Sequence, residues 1–292
     1  MRWLAILVLL AGCSRDPAKA PAVAGSGAAA AAPTVVSLTP SATEVMAALG
    51  ATSLLIGVDE YSQYPPEVRT LPKVGSFLAP NLEAIVRLSP SLVIVDDVHA
   101  PAAGALHDAG IATVACPLHA MPDVKRALRT VGARIGRTAE AERAVQEIDA
   151  ALDAAAAKRP PRRPRVLAVI DREAGGLGNL VAAGPGSWID ELLAVVGGDN
   201  VLVASGVRYP KISLEEVLRG QPDVILDLSY AARGTGGTEP WKEVVVPATR
   251  TGRVVALSEQ YLIAPSPRVA PALADLARAI SPPAPALPVS PR

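Results

Sequence analysis

Aromatic residues are scarce in this 292-residue chain, which has one Phe, three Trp and five Tyr, or 3% of all residues. Its 28 Lys and Arg residues are balanced by 28 Asp and Glu residues, so the formal net charge is zero. No run of basic residues with interleaved aromatics occurs, which argues against nucleic acid as a partner. The charge balance indicates no other partner.

The sequence motifs of common enzyme sites are missing as well. There is no GxSxG, no HExxH and no GxGxxG after a strand. A glycine-rich stretch at residues 175–179 opens no periodic helix and lacks the lysine followed by Ser or Thr of a phosphate-binding loop. We interpret it as a loop at a cleft, and we predict that the chain is not an enzyme and has no catalytic residue.

Histidine is also rare, and its spacing argues against a metal site. His99, His107 and His119 are the only three, with Asp96 and Asp97 nearby. Transition-metal sites need ligands within about 2.0 to 2.2 Å of one ion, and no close pair such as HxH or HxxxH occurs. A metal-ion receptor is therefore the weaker alternative. We predict surface histidines, no metal ligand and no cofactor.

Only two cysteines occur, and the first lies in an export signal. Met1-Arg2 precedes an apolar run at residues 3–10, which is too short to span a bilayer, and then Leu-Ala-Gly-Cys. That tetrapeptide resembles the bacterial lipoprotein box, in which Cys13 would be acylated and become the mature N-terminus. The alternative is an ordinary secretory signal with an incidental cysteine. Cys116 then has no partner, so we expect no disulfide.

One unit of the sequence occurs twice. PNLEAIVRLSPSLVIV at residues 80–95 is echoed by KISLEEVLRGQPDVIL at residues 211–226, and the matched residues, beginning with Leu82 and Leu214, align without a gap at an offset of 132 residues. Each copy predicts a short helix, a proline break and a buried strand. Each half also opens with an apolar helix that we expect to be capped, by Ser41 with Glu44 and by Ser187 with Asp190. A chain with two like halves usually has a cleft between them.

The order of the predicted elements indicates an α/β fold. Buried strands near residues 35–38, 54–58, 92–95 and 111–115 alternate with helices, as do those near 166–170, 224–228 and 254–257. Residues 138–158 contain no Gly or Pro and predict a helix of about 32 Å at 1.5 Å per residue. We therefore expect two Rossmann-like lobes with parallel sheets, joined by one long rigid helix.

These patterns predict six segments. They are the lipoprotein signal at 1–13, a flexible tether at 14–33, an N-terminal lobe at 34–137, the connecting helix at 138–158, a C-terminal lobe at 159–280 and a disordered Pro-rich tail at 281–292.

Several local sequences resemble the substrate-binding proteins of ABC importers for vitamin B12, ferric siderophores and haem. They are SLTPSATEVMAALG, GVDEYSQYPPEV, PKVGSFLAPNLEAIVRLSPSLVIV, AAGPGSWIDELLAVVGGDNV and the element Pro265-Ser266-Pro267-Arg268. They occur in order over nearly all of residues 34–280. Within this family the YSxYPP and VGSFxxPNLE stretches look most like the vitamin B12 periplasmic binding branch.

The resemblance implies a ligand held by aromatic rings between the lobes. Matching the motifs places the family's ring contacts at Tyr61, Phe77 and Tyr209. A flat macrocycle with apolar edges suits such a site. We add Tyr64, Trp188 and Tyr261 as candidate contacts.

Some positions depart from the vitamin B12 pattern. Asp96 stands where a tryptophan is expected, and Gln260 and Ala264 stand where an acidic and a basic residue are expected. A corrinoid is therefore the expected ligand, with a ferric siderophore or haem as alternatives. A siderophore would bind through basic residues such as Arg208, Lys211 or Arg268.

The resemblance also implies a partner. Glu83 and Glu215 match the two carboxylates, one on each lobe, that dock onto arginines of an ABC permease dimer with its ATPase. The alternative is that each merely stabilises a helix N-terminus, by about 0.3 to 1 kcal/mol. We expect a monomer in the periplasm, anchored to a membrane through its lipid, or at the cell surface if the cell is Gram-positive. An anchored corrinoid-modifying enzyme or an anchored structural protein are the alternatives from other classes.

Overall fold

A computed structural model describes residues 32–229 and 237–281 of the chain. The predicted signal with Cys13, nearly all of the predicted tether and the Pro-rich tail from residue 282 lie outside the described residues. None of the helices in the described ranges is long and apolar enough to cross a membrane.

The first lobe is built on a four-stranded parallel sheet. Its order is β2-β1-β5-β6, and Val35 and Ser37 of β1 pair with Leu92 and Ile94 of β5. All four residues of β5 are buried, as its continuous apolar run predicts for a central parallel strand. The strands are β1 (Val35–Ser37), β2 (Leu55–Val58), β3 (Gly75–Ser76), β4 (Ala79–Pro80), β5 (Leu92–Val95) and β6 (Thr113–Ala115), and the helices are α1 (Pro40–Ala48), α2 (Leu82–Leu88), α3 (Ala100–Asp108) and α4 (Met121–Arg134).

The second lobe has a mixed sheet of order β10-β8-β7-β11-β12, with β9 also paired to β7. Strands β7, β11 and β12 are parallel, whereas β8 runs antiparallel to β7 and to β10. The prediction of parallel sheets is therefore confirmed for the centre of this sheet and not for its β8 edge. The elements are β7 (Arg165–Asp171), β8 (Leu180–Ala182), β9 (Asp199–Asn200), β10 (Lys211–Ile212), β11 (Val224–Asp227), β12 (Val254–Ala256), α6 (Trp188–Val196), α7 (Leu214–Gly220), α8 (Pro247–Arg250) and α9 (Val269–Ile280).

A single long helix, α5 (Thr138–Ala156), runs between the two sheets in the chain. It packs against α4 before it and against α6 and α9 after it. Its buried face consists of Ala141, Ala144, Val145 and Ile148, which recur at helical spacing. The sequence prediction of a helix at 138–158 is confirmed to within two residues at its end.

The predicted repeat extends to backbone detail. Helices α2 and α7 and strands β5 and β11 all keep the offset of 132 residues. Asn81 and Ser213 cap the two helices, since their side chains accept hydrogen bonds from the backbone N–H of Ala84 and Glu216. Both helices end at a residue in the left-handed region, Ser89 at φ 49° and Gln221 at φ 40°, also 132 residues apart.

The predicted cap of α1 is wrong. The helix begins at Pro40, and Thr39 is the residue whose side chain accepts from Ala42 N. Proline suits the first position of a helix because its φ is already fixed near the helical value. The cap is therefore the residue before Pro40, which is Thr39. Glu44 is consequently not part of a capping box; it is buried and faces the second lobe. The Ser187 cap of α6 is confirmed, because its hydroxyl accepts from Asp190 N at 3.3 Å.

Candidate ligand site at the boundary of the two lobes

A chain of buried hydroxyl groups fixes the loop that carries Tyr61. Thr43 Oγ1 on α1 lies 2.5 Å from Ser37 Oγ and 2.8 Å from Ser62 Oγ, and Ser62 donates to Asp59. The second carboxylate oxygen of Asp59 accepts from Tyr61 N at 2.9 Å. Burial raises the pKa of Asp59. Tyr61 itself is 55% exposed, so the loop is anchored while its ring is left available.

Phe77 lies at the tip of the β3–β4 hairpin, beside the Tyr61 loop. Glu60 N donates to Gly75 O at 3.0 Å, which ties the hairpin to that loop. Gly75 has φ 97°, and a Cβ there would lie 2.5 Å from Ala79 O, so the tight hairpin requires glycine. The hairpin that carries Phe77 is therefore joined directly to the loop that carries Tyr61. Phe77 is partly buried, and its neighbour Leu78 is 81% exposed.

His99 supports Phe77 from below, contrary to the prediction of a surface histidine. It is 2% exposed, and its ring contacts that of Phe77 edge-on at 5.4 Å between centroids. Nδ1 accepts from Asp96 N at 3.0 Å, so Nε2 carries the proton and donates to Phe77 O at 2.6 Å. A histidine in a polar loop resembles a surface residue in sequence, because its contact with Phe77, 22 residues away, is not visible in the local sequence.

Asp96 and Asp97 follow β5, and His119 follows the neighbouring strand β6. His119 Nε2 lies 3.1 Å from Asp97 Oδ2 and 3.9 Å from Asp96 Oδ1. Burial raises the pKa of Asp96 to about 6, and the hydrogen bond with Asp97 adds to this. The pKa of Asp97 is lowered to about 2, mainly by its interaction with Asp96 and then by its hydrogen bond with His119. The sequence prediction of unconnected histidines missed this cluster.

Tyr209 is the candidate ring of the second lobe. It precedes β10, in a segment held by the bonds Gly184 N to Arg208 O at 2.8 Å and Ala182 N to Pro210 O at 3.0 Å. Its side chain is 41% exposed, and partial burial raises the pKa of its hydroxyl. The backbone of Trp188, at the start of α6, and the charge of Arg208 act on this pKa in the opposite direction. Tyr209 therefore lies near the helix end that meets the first lobe.

Arg268 joins the two lobes. Its Nε donates to Glu44 Oε2 at 2.9 Å and its second nitrogen pairs with Glu44 Oε1, while Ser266 Oγ donates to the same carboxylate. The guanidinium also lies over the rings of Tyr64, at 4.0 Å, and Tyr261, at 4.6 Å. We call this group the Arg268 clamp. The sequence analysis named Arg268 as a candidate contact for a siderophore and did not pair it with Glu44.

Two further bonds cross the lobe boundary. Gln260 Nε2 donates to Tyr61 O at 3.2 Å, and Met121 N at the start of α4 donates to Glu191 Oε2 at 2.7 Å. Burial raises the pKa of Glu191, and the acidic neighbours Asp123 and Asp190 act in the same direction. Gln260, which departs from the expected acidic residue, thus holds the Tyr61 loop from the opposite lobe.

Trp188 and Tyr261 do not present rings to the boundary. Trp188 is 1% exposed and its indole N–H donates to Tyr261 O at 3.0 Å, which corrects the expectation that it contacts the ligand. Tyr261 is buried, donates to Asp275 Oδ2 at 2.6 Å and has Arg268 over its ring. Both rings stabilise the second lobe. Tyr64 remains partly exposed, with Arg268 over its ring. The guanidinium of Arg268 is already paired with the carboxylate of Glu44, which argues against Arg268 as a contact for an anionic siderophore.

Glu83 and Glu215 occupy equivalent surface positions at the second residue of α2 and α7. Both are exposed, and neither forms an ion pair within residues 32–229 and 237–281. The i, i+4 partners Arg87 and Arg219 are likewise exposed and unpaired in these ranges. Each lobe therefore offers a free carboxylate at a capped helix start.

Comparison with known proteins assigns the family. The family described as Periplasmic binding protein matches residues 35–261. The chain belongs to this family. It is 27% identical over 245 residues to the vitamin B12-binding protein of Vibrio parahaemolyticus, covering 83% of this chain and 87% of that protein. The corresponding protein of Salmonella choleraesuis is 29% identical over 257 residues, with 86% and 91% covered.

Solved structures of the same family share the fold. The periplasmic heme-binding protein RhuT from Roseiflexus sp. RS-1, in apo form, has a TM-score of 0.76 at 30% identity, covering 85% of this chain and 98% of that one. The vitamin B12-binding protein BtuF of Vibrio cholerae has a TM-score of 0.66 at 24% identity, with 85% and 96% covered. The two-lobed α/β prediction is confirmed.

Membership of this family settles the coarse function. The chain is a periplasmic binding protein of the ABC-importer type, a family whose members bind small metal chelates and deliver them to a permease, and it is not an enzyme. The prediction that it lacks catalytic activity is confirmed by this relationship.

Proposed function

We propose that the chain binds a corrinoid, such as vitamin B12 or cobinamide, between its two lobes. The observation that carries the proposal is the placement of its few aromatic side chains. In the described residues, the rings that are not buried are Tyr61, Tyr64, Phe77 and Tyr209, and all four lie in loops near the lobe boundary. The vitamin B12-binding proteins among its relatives support the same ligand.

The rings suit a large ligand with apolar edges. An aromatic side chain buries on the order of 150 Å² or more when it is covered, and a ring contact adds about 0.5 to 1.5 kcal/mol beyond the burial itself. Tyr61 and Phe77 on one lobe and Tyr209 on the other would cover opposite sides of the macrocycle. The loops that carry them are anchored by buried hydrogen bonds, so little ordering is needed on binding.

Haem is the second candidate, and the similarity to RhuT favours it. Haem iron is held by an axial side chain, which includes tyrosine in some proteins. Tyr61, at 55% exposure, is a residue of this type at the boundary. The two candidates therefore make different demands on one residue: a corrinoid needs the ring of Tyr61, whereas haem ligation needs its hydroxyl.

A ligand panel distinguishes these candidates. The purified chain is mixed with cyanocobalamin, dicyanocobinamide, haem or a ferric siderophore, and the absorbance retained after gel filtration is measured. We expect retention of a corrinoid at micromolar concentration, with affinity at least tenfold lower in Phe77→Ala and Tyr209→Ala. Tyr61→Phe should bind a corrinoid nearly as wild type. Val245→Ala, at an exposed residue away from these loops, is the control.

The alternatives give different patterns. Retention of haem that is lost in Tyr61→Phe would replace the corrinoid with haem. Binding of a ferric siderophore that falls strongly with salt would indicate an anionic chelate held by Arg208 or Lys211. Binding of none of the compounds would contradict the proposed ligand class.

We further propose that Cys13 carries a lipid anchor and that Glu83 and Glu215 dock onto the permease. The lipoprotein-like sequence before Cys13 supports the first proposal. The duplicated carboxylates, exposed and without an ion pair among the described residues, support the second, because a pair of equivalent charges suits a partner built from two like subunits.

A further inference from the structure

The edge of the first sheet carries a cluster of metal-ligating side chains that the proposed function does not use. One donor atom from each of Asp96, Asp97 and His119 lies within 4.8 Å of the other two. The residues follow β5 and β6, which are adjacent parallel strands, and the bond Cys116 N to Val95 O at 2.8 Å continues their pairing at this end. The sheet therefore positions Asp96 and Asp97, while His119 is held by the bond from its backbone N–H to Asp123 Oδ2 at 3.1 Å.

The spacing of the donor atoms suits one small cation. Ligands at 2.0 to 2.2 Å in a tetrahedral site lie about 3.3 to 3.6 Å from one another. His119 Nε2 lies 3.1 Å from Asp97 Oδ2 and 3.9 Å from Asp96 Oδ1, values on either side of that range. Asp97 and His119 are partly exposed, so small rotations of their side chains are sufficient to close on an ion.

The two carboxylates of the cluster have no cationic partner among the described residues other than His119 itself. No Lys or Arg in the described parts of the chain forms an ion pair with Asp96 or Asp97. Asp96 is 5% exposed, yet the partner of its Oδ2 is Leu118 N at 3.4 Å, the outer limit of a hydrogen bond. A buried carboxylate oxygen with so weak a partner is costly unless a ligand completes it.

We propose that Asp96, Asp97 and His119 form a binding site for one divalent transition-metal cation of the zinc type. An imidazole nitrogen with two carboxylate oxygens suits such an ion, whereas Ca²⁺ and Mg²⁺ prefer oxygen ligands alone. Three protein ligands leave a fourth position for water or another donor. The ligands follow two different strands, which is why the lack of closely spaced histidines in the sequence did not indicate this site.

Zinc titration of the purified chain, produced without a histidine tag and freed of metal with EDTA, tests the proposal. Competition with a chromogenic chelator gives stoichiometry and affinity. We expect one Zn²⁺ per chain at micromolar or lower dissociation constant, with at least tenfold weaker binding in His119→Ala and Asp97→Asn. His107→Ala, at an exposed histidine on α3, is the matched control and should bind as wild type. Far-UV circular dichroism checks that each variant is folded.

A spectroscopic measurement tests coordination directly. Co²⁺ in place of Zn²⁺ should give the intense visible bands of a four-coordinate site in the wild type, and these bands should weaken in Asp96→Asn, which preserves side-chain shape. No stoichiometric Zn²⁺ binding would overturn the proposal. Binding that is unchanged in His119→Ala, or lost in His107→Ala, would overturn it equally, because the ion would then lie elsewhere.

Discussion

Removing one partner of the Arg268 clamp should destabilise the whole chain. The side chains of Glu44 and Arg268 are 6% and 20% exposed, so either group left alone is a poorly hydrated charge. Breaking such a buried pair from one side costs about 3 to 5 kcal/mol. Arg268→Met also removes the cation from the faces of Tyr64 and Tyr261, a further loss of about 0.5 to 2 kcal/mol for each ring.

The double variant separates the charge from the packing. When Glu44→Gln and Arg268→Met are combined, neither charge remains unpaired, and a buried pair replaced from both sides often leaves stability nearly unchanged. We therefore expect the double variant to be more stable than at least one single variant. Urea unfolding, followed by circular dichroism, gives the four free energies of a double-mutant cycle.

An exposed ion pair provides the control for this cycle. Arg129 and Glu142 form two hydrogen bonds but are 49% and 47% exposed, so Glu142→Gln should cost less than about 1 kcal/mol. If Glu44→Gln and Arg268→Met each cost no more than this control, and their effects add, the clamp is not a buried charge pair. In thermal unfolding, a loss of 3 to 5 kcal/mol corresponds to about 6 to 20 °C for a chain of this size.

Other predictions concern docking, anchoring, motion and pH. Glu83→Ala with Glu215→Ala should lower transport but leave ligand affinity unchanged, with Glu147→Ala as the exposed control; normal transport would exclude the docking role. Cys13→Ser should release the protein from membranes, as fractionation would show. X-ray scattering curves with and without ligand should nearly superimpose, because the lobes are joined by the α5 helix and by bonds across the boundary; marked compaction would contradict this. In EDTA, the raised pKa of Asp96, about 6, means that the folded state holds this proton more tightly than the unfolded state does. The resulting stability is complete below about pH 4 and is lost as pH rises through about 6. Unfolding free energies should therefore fall less over this range in Asp96→Asn than in wild type; identical pH profiles would refute the shift.

The strands and the long helix could be predicted because their signals are local. A continuous apolar run such as residues 92–95 is buried on both faces, which favours a strand at the centre of a sheet, and the structure has β5 at those residues. The helix α5 was predicted from an uninterrupted 3.6-residue period. The two copies of the repeat also share a capped helix start, at Asn81 and Ser213, because a cap depends on local hydrogen bonds.

The contacts between lobes could not be predicted, because they join residues that are far apart in sequence. Glu44 and Arg268 are separated by 224 residues, and nothing near Glu44 distinguishes it from a helix-capping carboxylate. Aromatic side chains posed a similar problem. Trp188 and Phe77 both lie in family motifs, yet one is in the core and the other at the boundary. Sequence gives the presence of a ring, whereas packing decides which rings stay available.

The unburied rings are best explained by a ligand that covers them. Full burial of a large apolar side chain contributes about 1.5 to 3 kcal/mol, so a chain with few aromatics gains most by placing them in its core, as it does with Trp188 and Trp241. Tyr61, Phe77 and Tyr209 forgo part of this gain, although buried bonds hold the backbone or neighbours of each. Anchoring a loop while leaving its ring uncovered stabilises no core. Under the proposed function, it prepares a surface whose burial stabilises the complex only when a ligand enters between the lobes.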